Sequence, residues 1–293
     1  LFPARPFAIA SGRHGYGSCS IWSDAPPSAF PREARRHFPR RAGKPVLQLP
    51  EPQQLKTMSS RIAENLARLR QQIADAATSA GRDPATVRLV GVTKYVGPQT
   101  ARDVFLAGCT DLGESRPQEL WDKAKALADL PVRWHLIGHL QRNKVRRTLP
   151  LTALIHSGDS LRLLEEIHRE AATRTFKQPI LLEVNISGDA AKHGFAADEL
   201  LSIADQLPQY SSLDIHGLMG MASLEGGSAE ACRDFARLRE LRDKLDAAQP
   251  GLSLGELSMG MSGDFVEAIA EGATIVRIGS ALFEGLSEEE MQS

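Results

Sequence analysis

Lys94 directly follows the apolar run Leu89-Val90-Gly91-Val92-Thr93, so a buried strand would deliver its amine to the strand's C-terminal end. Apolar walls disfavour an amine's charged form, and an amine so lowered in pKa condenses with an aldehyde to a Schiff base. Taken alone, the position equally suits a lysine whose stem lies on apolar surface while its ammonium reaches water. A second group of residues shifts the balance. Met261-Ser262-Gly263-Asp264 and Arg277-Ile278-Gly279-Ser280 each combine a hydroxyl with a glycine, which lets backbone N–H groups come close to a ligand. Asp264 and Glu267 have the spacing of a capping box at a helix start. A helix N-terminus in turn favours an anion. A phosphate cup and an imine-forming lysine together fit a ligand with both an aldehyde and a phosphate, such as pyridoxal 5′-phosphate (PLP). Arg277 would face the pyridine nitrogen of such a ligand. An arginine keeps its proton, so the ring would stay unprotonated and serve as a weak electron sink.

The elements that must position these groups alternate along the chain. Apolar, β-branched runs predict strands near 87–93, 108–112, 132–137, 152–156, 179–185, 213–219, 254–259 and 273–278. Helical spacing predicts helices between them, near 98–107, 116–128, 140–148, 160–173, 197–206, 228–247 and 264–271. A further helix is expected from Ser59, with Ile62, Leu66, Leu69 and Ile73 on one face and Gly81 as its stop. Strands apolar on both faces indicate a parallel sheet. Eight βα units match an α/β fold, a single (β/α)8 TIM barrel, which needs roughly 250 residues. An open doubly wound sheet is the alternative. In a barrel the strands' C-terminal ends carry the site, and phosphate binds after strands 7 and 8. These ends hold Lys94, Ser115, His135, Asn185, Met219 and the two glycine-containing segments.

Composition bounds the working unit. The 293 residues carry 35 Lys/Arg and 36 Asp/Glu, a net charge of −1. Residues 1–57 hold nine Lys/Arg against three Asp/Glu and nine of the 17 prolines. They are expected to be a disordered basic extension that is dispensable or not native, since position 1 is Leu and Met58 sits where the composition changes. Residues 58–293 are then the barrel domain. Cys19, Cys109 and Cys232 have no CxxC spacing, which excludes a thiolate zinc site and a disulfide scaffold. No apolar run reaches transmembrane length. The basic tail lacks the interleaved aromatics of a base-stacking surface.

VGVTKY, DLGESRPQELWDKA, WHLIGHLQRNKV, HSGDS, LLEVNISGDAAKHGF, HGLMGMA and LSMGMSGDFVEAIAEGATIVRIGSALFEG follow one another over roughly 58–286. Together they resemble the YggS/PROSC family of pyridoxal-phosphate homeostasis proteins. The resemblance implies a barrel like the N-terminal domain of bacterial alanine racemase, with PLP as cofactor. It implies Lys94 as the Schiff-base lysine, Ser262, Gly263, Gly279 and Ser280 at the phosphate, and Arg277 at the ring nitrogen. Ser115, His135 and Met219 are expected around the same cofactor. The sequence departs from the family pattern at Ser115 (usually Asn), Arg142 (usually Ser) and Thr93 (usually Ser). The implied role is PLP homeostasis in the cytoplasm by a monomer without robust catalysis, with apo PLP-dependent enzymes as acceptors and neither nucleic acid nor membrane as partner.

Other readings fare less well. His135 and His139 have i, i+4 spacing, but Gly138 and a strand end separate them and no acidic third ligand is evident, so no metal is expected. GxGxxG and GxxxxGK[ST] are absent, and residue 264 is Asp where a nucleophile elbow needs Gly. A PLP-dependent amino-acid racemase needs a second base, and Tyr16, Tyr95 and Tyr210 are not evident candidates. An aldolase-like barrel would need an acid/base pair around Lys94 that the sequence does not place.

Overall fold

A computed structural model describes residues 52–189, 193–223 and 226–292. Most of the expected extension, including Tyr16 and Cys19, lies outside the described residues, as does Lys192. Eight parallel strands close into a barrel in chain order. They are β1 (Arg88–Val92), β2 (Asp111–Glu114), β3 (Arg133–Leu136), β4 (Thr152–Gly158), β5 (Gln178–Val184), β6 (Leu213–Gly220), β7 (Glu256–Ser258) and β8 (Ile275–Ile278). The seam is the pairing of β1 with β8, which sets Val90 beside Arg277 and Gly91 beside Ile278. Helices α2 (Pro98–Leu106), α3 (Pro117–Ala126), α4 (Val145–Thr148), α5 (Leu161–Ala171), α6 (Ala197–Ser202), α7 (Gly227–Ala248) and α8 (Phe265–Ala270) follow strands β1 to β7 in turn. The closed α/β barrel expected from the alternation is present, and the open sheet is not.

Element boundaries differ in a few places, each for a local reason. β2 starts at Asp111 rather than near 108 because Gly108, at φ 102°, still turns the chain. The helix expected over 140–148 is split into a 3-10 turn at Arg142–Lys144, α4, and a second 3-10 turn at Leu149–Leu151 that contains Pro150. Proline cannot donate the hydrogen bond that would continue a helix. The first helix, α1 (Pro52–Ser79), begins before Ser59 and stops at Gly81, whose φ is 68°. Its Ile62, Leu66, Leu69 and Ile73 are buried as the spacing requires. It packs against α8 and α2, over the barrel seam.

Inside the barrel, Val90, Leu154, Leu181, Met219 and Ile275 form an apolar cluster separate from the strand–helix core. Polar side chains share this interior, and they make up the site described below. The short helix α9 (Glu288–Met291) closes over the loop after β1. Gly97 N–H donates to Met291 O at 2.6 Å, Thr100 Oγ1 to Glu290 O at 2.9 Å, and Gln292 Nε2 to Tyr95 O at 2.9 Å. Among the described residues, no helix is long and apolar enough to cross a membrane.

The ends of β2 and β3 touch through backbone. A Cβ on Gly138 would lie 2.3 Å from Ser115 O and 2.9 Å from Ser115 Cα, a clash that no side-chain rotation relieves. Gly138→Ala is therefore expected to lower stability by about 1–3 kcal/mol, as overpacking does, with urea denaturation as the measurement.

Candidate functional site

Lys94 emerges where the sequence places it, half-buried in the turn after β1, with Nζ 4.8 Å from the centroid of the exposed Tyr95 ring. Its backbone is held by a buried ion pair. Lys123 Nζ, from α3, donates to Thr93 O at 2.5 Å and to Glu114 Oε1 at 2.7 Å. Thr93 Oγ1 donates to the same carboxylate oxygen at 2.5 Å. Burial pushes the Glu114 carboxyl up from its ordinary range, and the Lys123 ammonium pulls it back. Lys123 is thus spent on anchoring the residue before Lys94, whose own amine lies against the Tyr95 ring. The residues Glu114 and Lys123 lie inside the GES and DKA motifs; nine apart in sequence, they gave no direct sign of pairing.

The two glycine-containing segments meet at the seam. Gly279 N–H donates to Ser262 Oγ at 3.3 Å and Ala281 N–H to the same oxygen at 3.4 Å. Two amides from the turn Ser280–Phe283 and its entry thus converge on one point. Gly263 has open space around its Cα, and Ser280 is exposed. The capping box expected from Asp264 and Glu267 does not form. Asp264 Oδ1 instead accepts from Met261 N–H at 2.5 Å, and Glu267 accepts from Ser228. The chain turns too sharply before α8 for the cap geometry, with Asp264 at φ −145°, ψ 13°.

Arg277 is buried on β8. Nη1 donates to Ser258 O at 2.6 Å and Ser258 Oγ at 2.7 Å, and Nη2 donates to Gly220 O at 3.0 Å. That leaves Nε–H and one Nη2 hydrogen uncommitted among the described residues. Burial brings this guanidinium down to about 10, with Glu183 and Asp264 holding it up, so it remains charged at neutral pH.

Behind Arg277 runs a line of side chains across the barrel. His156 Nδ1 is 2.8 Å from Ser258 Oγ, His156 Nε2 is 2.9 Å from His135 Nδ1, and His135 Nε2 is 2.8 Å from Asp111 Oδ1. The two ends fix the direction of every bond. Arginine only donates and an ionised carboxylate only accepts. With both imidazoles neutral, His135 Nε2–H donates to Asp111, His156 Nε2–H to His135, and Ser258 O–H to His156. Burial lowers both histidines, His156 well below its ordinary value, which keeps them neutral. Burial, the largest single effect, would raise Asp111, but the His135 contact, the Arg133 charge and the Thr110 hydrogen bond together outweigh it and the carboxyl is lowered.

His135, expected near the cofactor, is fully buried with both ring nitrogens used in this line. Met219 is 1% exposed in the interior apolar cluster. Ser115 sits half-buried in the turn after β2, against Gly138. The sequence reading missed Asp111, Ser258 and Glu183. The signal was present as charged or polar residues inside otherwise apolar strands, in DLGE, ELS and LLEV. Glu183, on β5, is pushed up to about 7 by burial and then by the charge of Asp159, against the pull of Arg277. His216, on β6, pairs with Asp214 at 2.8 Å.

This geometry has known relatives. The alanine racemase N-terminal domain family matches residues 60–287. A Pseudomonas aeruginosa protein named pyridoxal phosphate homeostasis protein is 42% identical over 224 residues, 76% of this chain and 95% of its own length. The chain belongs to the alanine racemase N-terminal domain family, among its pyridoxal phosphate homeostasis proteins. An Aquifex aeolicus protein of the same name is 39% identical, covering 75% of this chain and 96% of its own. PipY of Synechococcus elongatus PCC7942, solved without PLP and with PLP bound, is 38% identical, with TM-scores of 0.70 and 0.69; the match covers 76% of this chain and 99% of PipY. Alanine racemase from Bartonella henselae, at 15% identity and TM-score 0.60, covers 80% of this chain and 62% of its own and shares the fold.

Two outcomes follow for the site's scaffold. Lys123→Met strands the buried Glu114 carboxylate and should cost about 3–5 kcal/mol in urea unfolding. Glu183 gives a pH signature. Its unfolded carboxyl ionises near 4.5 and its folded one near 7, so the folded state binds more protons between these values and stability falls as pH rises through that window. Glu183→Gln should flatten this slope, and the gap between variant and wild type should reach on the order of 3 kcal/mol by pH 8 and vanish below pH 4.

Proposed function

We propose that the barrel binds PLP and serves PLP homeostasis in the cytoplasm, holding the cofactor without robust catalytic turnover. The observation that carries this reading is the β1–β8 pairing, which brings to one rim the strand end bearing Lys94, the convergent amides at Ser262 and Arg277 with its two uncommitted donors. The family of named homeostasis proteins and the PLP-bound PipY support it.

PLP would supply an aldehyde that forms a Schiff base with an amine. Lys94 Nζ is the amine that would take it. The Gly279 and Ala281 N–H groups, with the Ser262 and Ser280 hydroxyls and the open backbone at Gly263, would hold the phosphate. These amides now share Ser262 Oγ at long distances, so a charged acceptor would displace a weak contact. Arg277 would donate an N–H to the ring nitrogen and, as it stays charged, would leave that nitrogen unprotonated. Ser115 lines the mouth nearby, while His135 and Met219 act from within the barrel, the first by orienting the line that ends on Arg277. Apo PLP-dependent enzymes would be the acceptors.

The racemase alternative requires a base across the ligand from Lys94. Among the described residues, Tyr95 is on the same turn as Lys94, and Tyr210 is buried in the outer layer against His168. Neither supports two-base chemistry.

The decisive experiment is PLP titration followed by borohydride reduction and peptide mapping. A visible imine band, lost on reduction and with the label on Lys94, is the expected result. In Lys94→Ala the band and label should disappear while the melting temperature stays that of the wild type. An imine that persists in Lys94→Ala overturns the assignment, and inversion of alanine at enzymatic rates would favour the racemase.

A further inference from the structure

Across the mouth from the seam, three side chains from three loops come together. His139 follows β3, Asp159 directly follows β4, and His193 lies in the loop after β5. His139 Nδ1 is 2.5 Å from Asp159 Oδ2, and the His139 and His193 rings stack with centroids 4.4 Å apart and 15° between their planes. One ligand atom from each residue lies within 4.8 Å of the others. Two imidazoles and a carboxylate are the donor set that zinc accepts, with bonds of about 2.0–2.2 Å and so ligand atoms about 3.3 Å apart. The widest pair must therefore close by up to about 1.5 Å around such an ion, the 2.5 Å His139–Asp159 contact must open, and the stacked rings must turn. Both histidines are exposed enough to do so. Asp159 is the fixed member: its side chain is 6% exposed and its other oxygen accepts from Ser160 Oγ at 3.0 Å.

A second observation points the same way. Glu183 Oε2 is buried without a hydrogen-bond partner among the described residues, and Asp159 is the like charge acting on that carboxyl. Among the described residues, the ion-pair partner of Asp159 is His139, which is cationic only when protonated. A divalent ion would supply positive charge at Asp159.

We propose that His139, Asp159 and His193 form a binding site for a zinc-class divalent metal ion, with its fourth position open to water at the barrel mouth. The ion would tie the loop after β5 to the end of β4, opposite Lys94. Spacing alone pairs His139 with His135 and offers no acidic third ligand. The barrel instead buries His135 and gives His139 two different partners. The site shares no residue with the proposed PLP site and does not depend on that reading.

The test is titration of the chelator-stripped full chain with zinc by calorimetry and with cobalt(II) by visible absorption. One zinc per chain and the intense visible bands of four-coordinate cobalt are expected. Affinity should fall at least about tenfold in His193→Ala, His139→Ala and the shape-conserving Asp159→Asn, while Lys94→Ala binds as the wild type. The metal-free melting temperatures of the two exposed-histidine variants should match the wild type, so that lost binding reports lost ligands. No zinc binding, a pale six-coordinate cobalt spectrum, or wild-type affinity in the variants would overturn the proposal.

Discussion

Closure of the sheet by pairing β1 with β8 is the constraint on which the rest depends. Parallel pairing puts the C-terminal ends of the first and last strands on one rim, so Lys94 and the segment from Arg277 to Ser280 become neighbours although most of the chain lies between them. An open sheet with the same strands would leave those two ends apart. The seam is also reinforced from outside. α1 lies over it, with Asn65 Nδ2 donating to Leu282 O at 3.1 Å and Glu284 O at 3.0 Å, and Arg61 donating to Gly285 O. These bonds secure the backbone just beyond the Gly279–Ser280 turn.

Within the closed barrel, polarity is organised by two residues with opposite limits. Arg277 can only donate and Asp111 can only accept, and between them Ser258, His156 and His135 each give one bond and take one. Buried polar chains of this kind specify a single arrangement when every member is satisfied, and cost heavily when one is not. The guanidinium is therefore oriented by neutral hydroxyl and carbonyl groups, not by a carboxylate in contact. A direct ion pair would have quenched its charge toward the mouth. Glu183 and Asp264 act on it through space and leave its remaining donors open.

Much of this was legible in the sequence, and the pattern of success has a physical cause. Apolar runs fix strands because a parallel barrel buries both faces, so β1, β4, β5 and β6 fall within a residue or two of their expected limits. Lys94 and the Ser262 and Gly279 segments follow from strand order alone. What could not be read were relationships between side chains on different strands. His135 seems to face a ligand when only its strand is known, but its nitrogens are claimed by residues from β2 and β4. Lys123 looks like an ordinary helix lysine until α3 folds back and buries it beneath Thr93. The Asp264–Glu267 spacing is that of a cap, yet the tight turn before α8 redirects both carboxylates. Local spacing cannot report such competition, because the winning partner comes from elsewhere in the chain.

The clasp made by α9 has a mechanical consequence. Its carbonyls and the Gln292 side chain grip the backbone at Tyr95 and Gly97 and the Thr100 hydroxyl, soon after the lysine. Force applied to residues 288–292, whether by a fused domain, a surface tether or a bound protein, would be transmitted to the turn carrying the amine without touching the barrel wall.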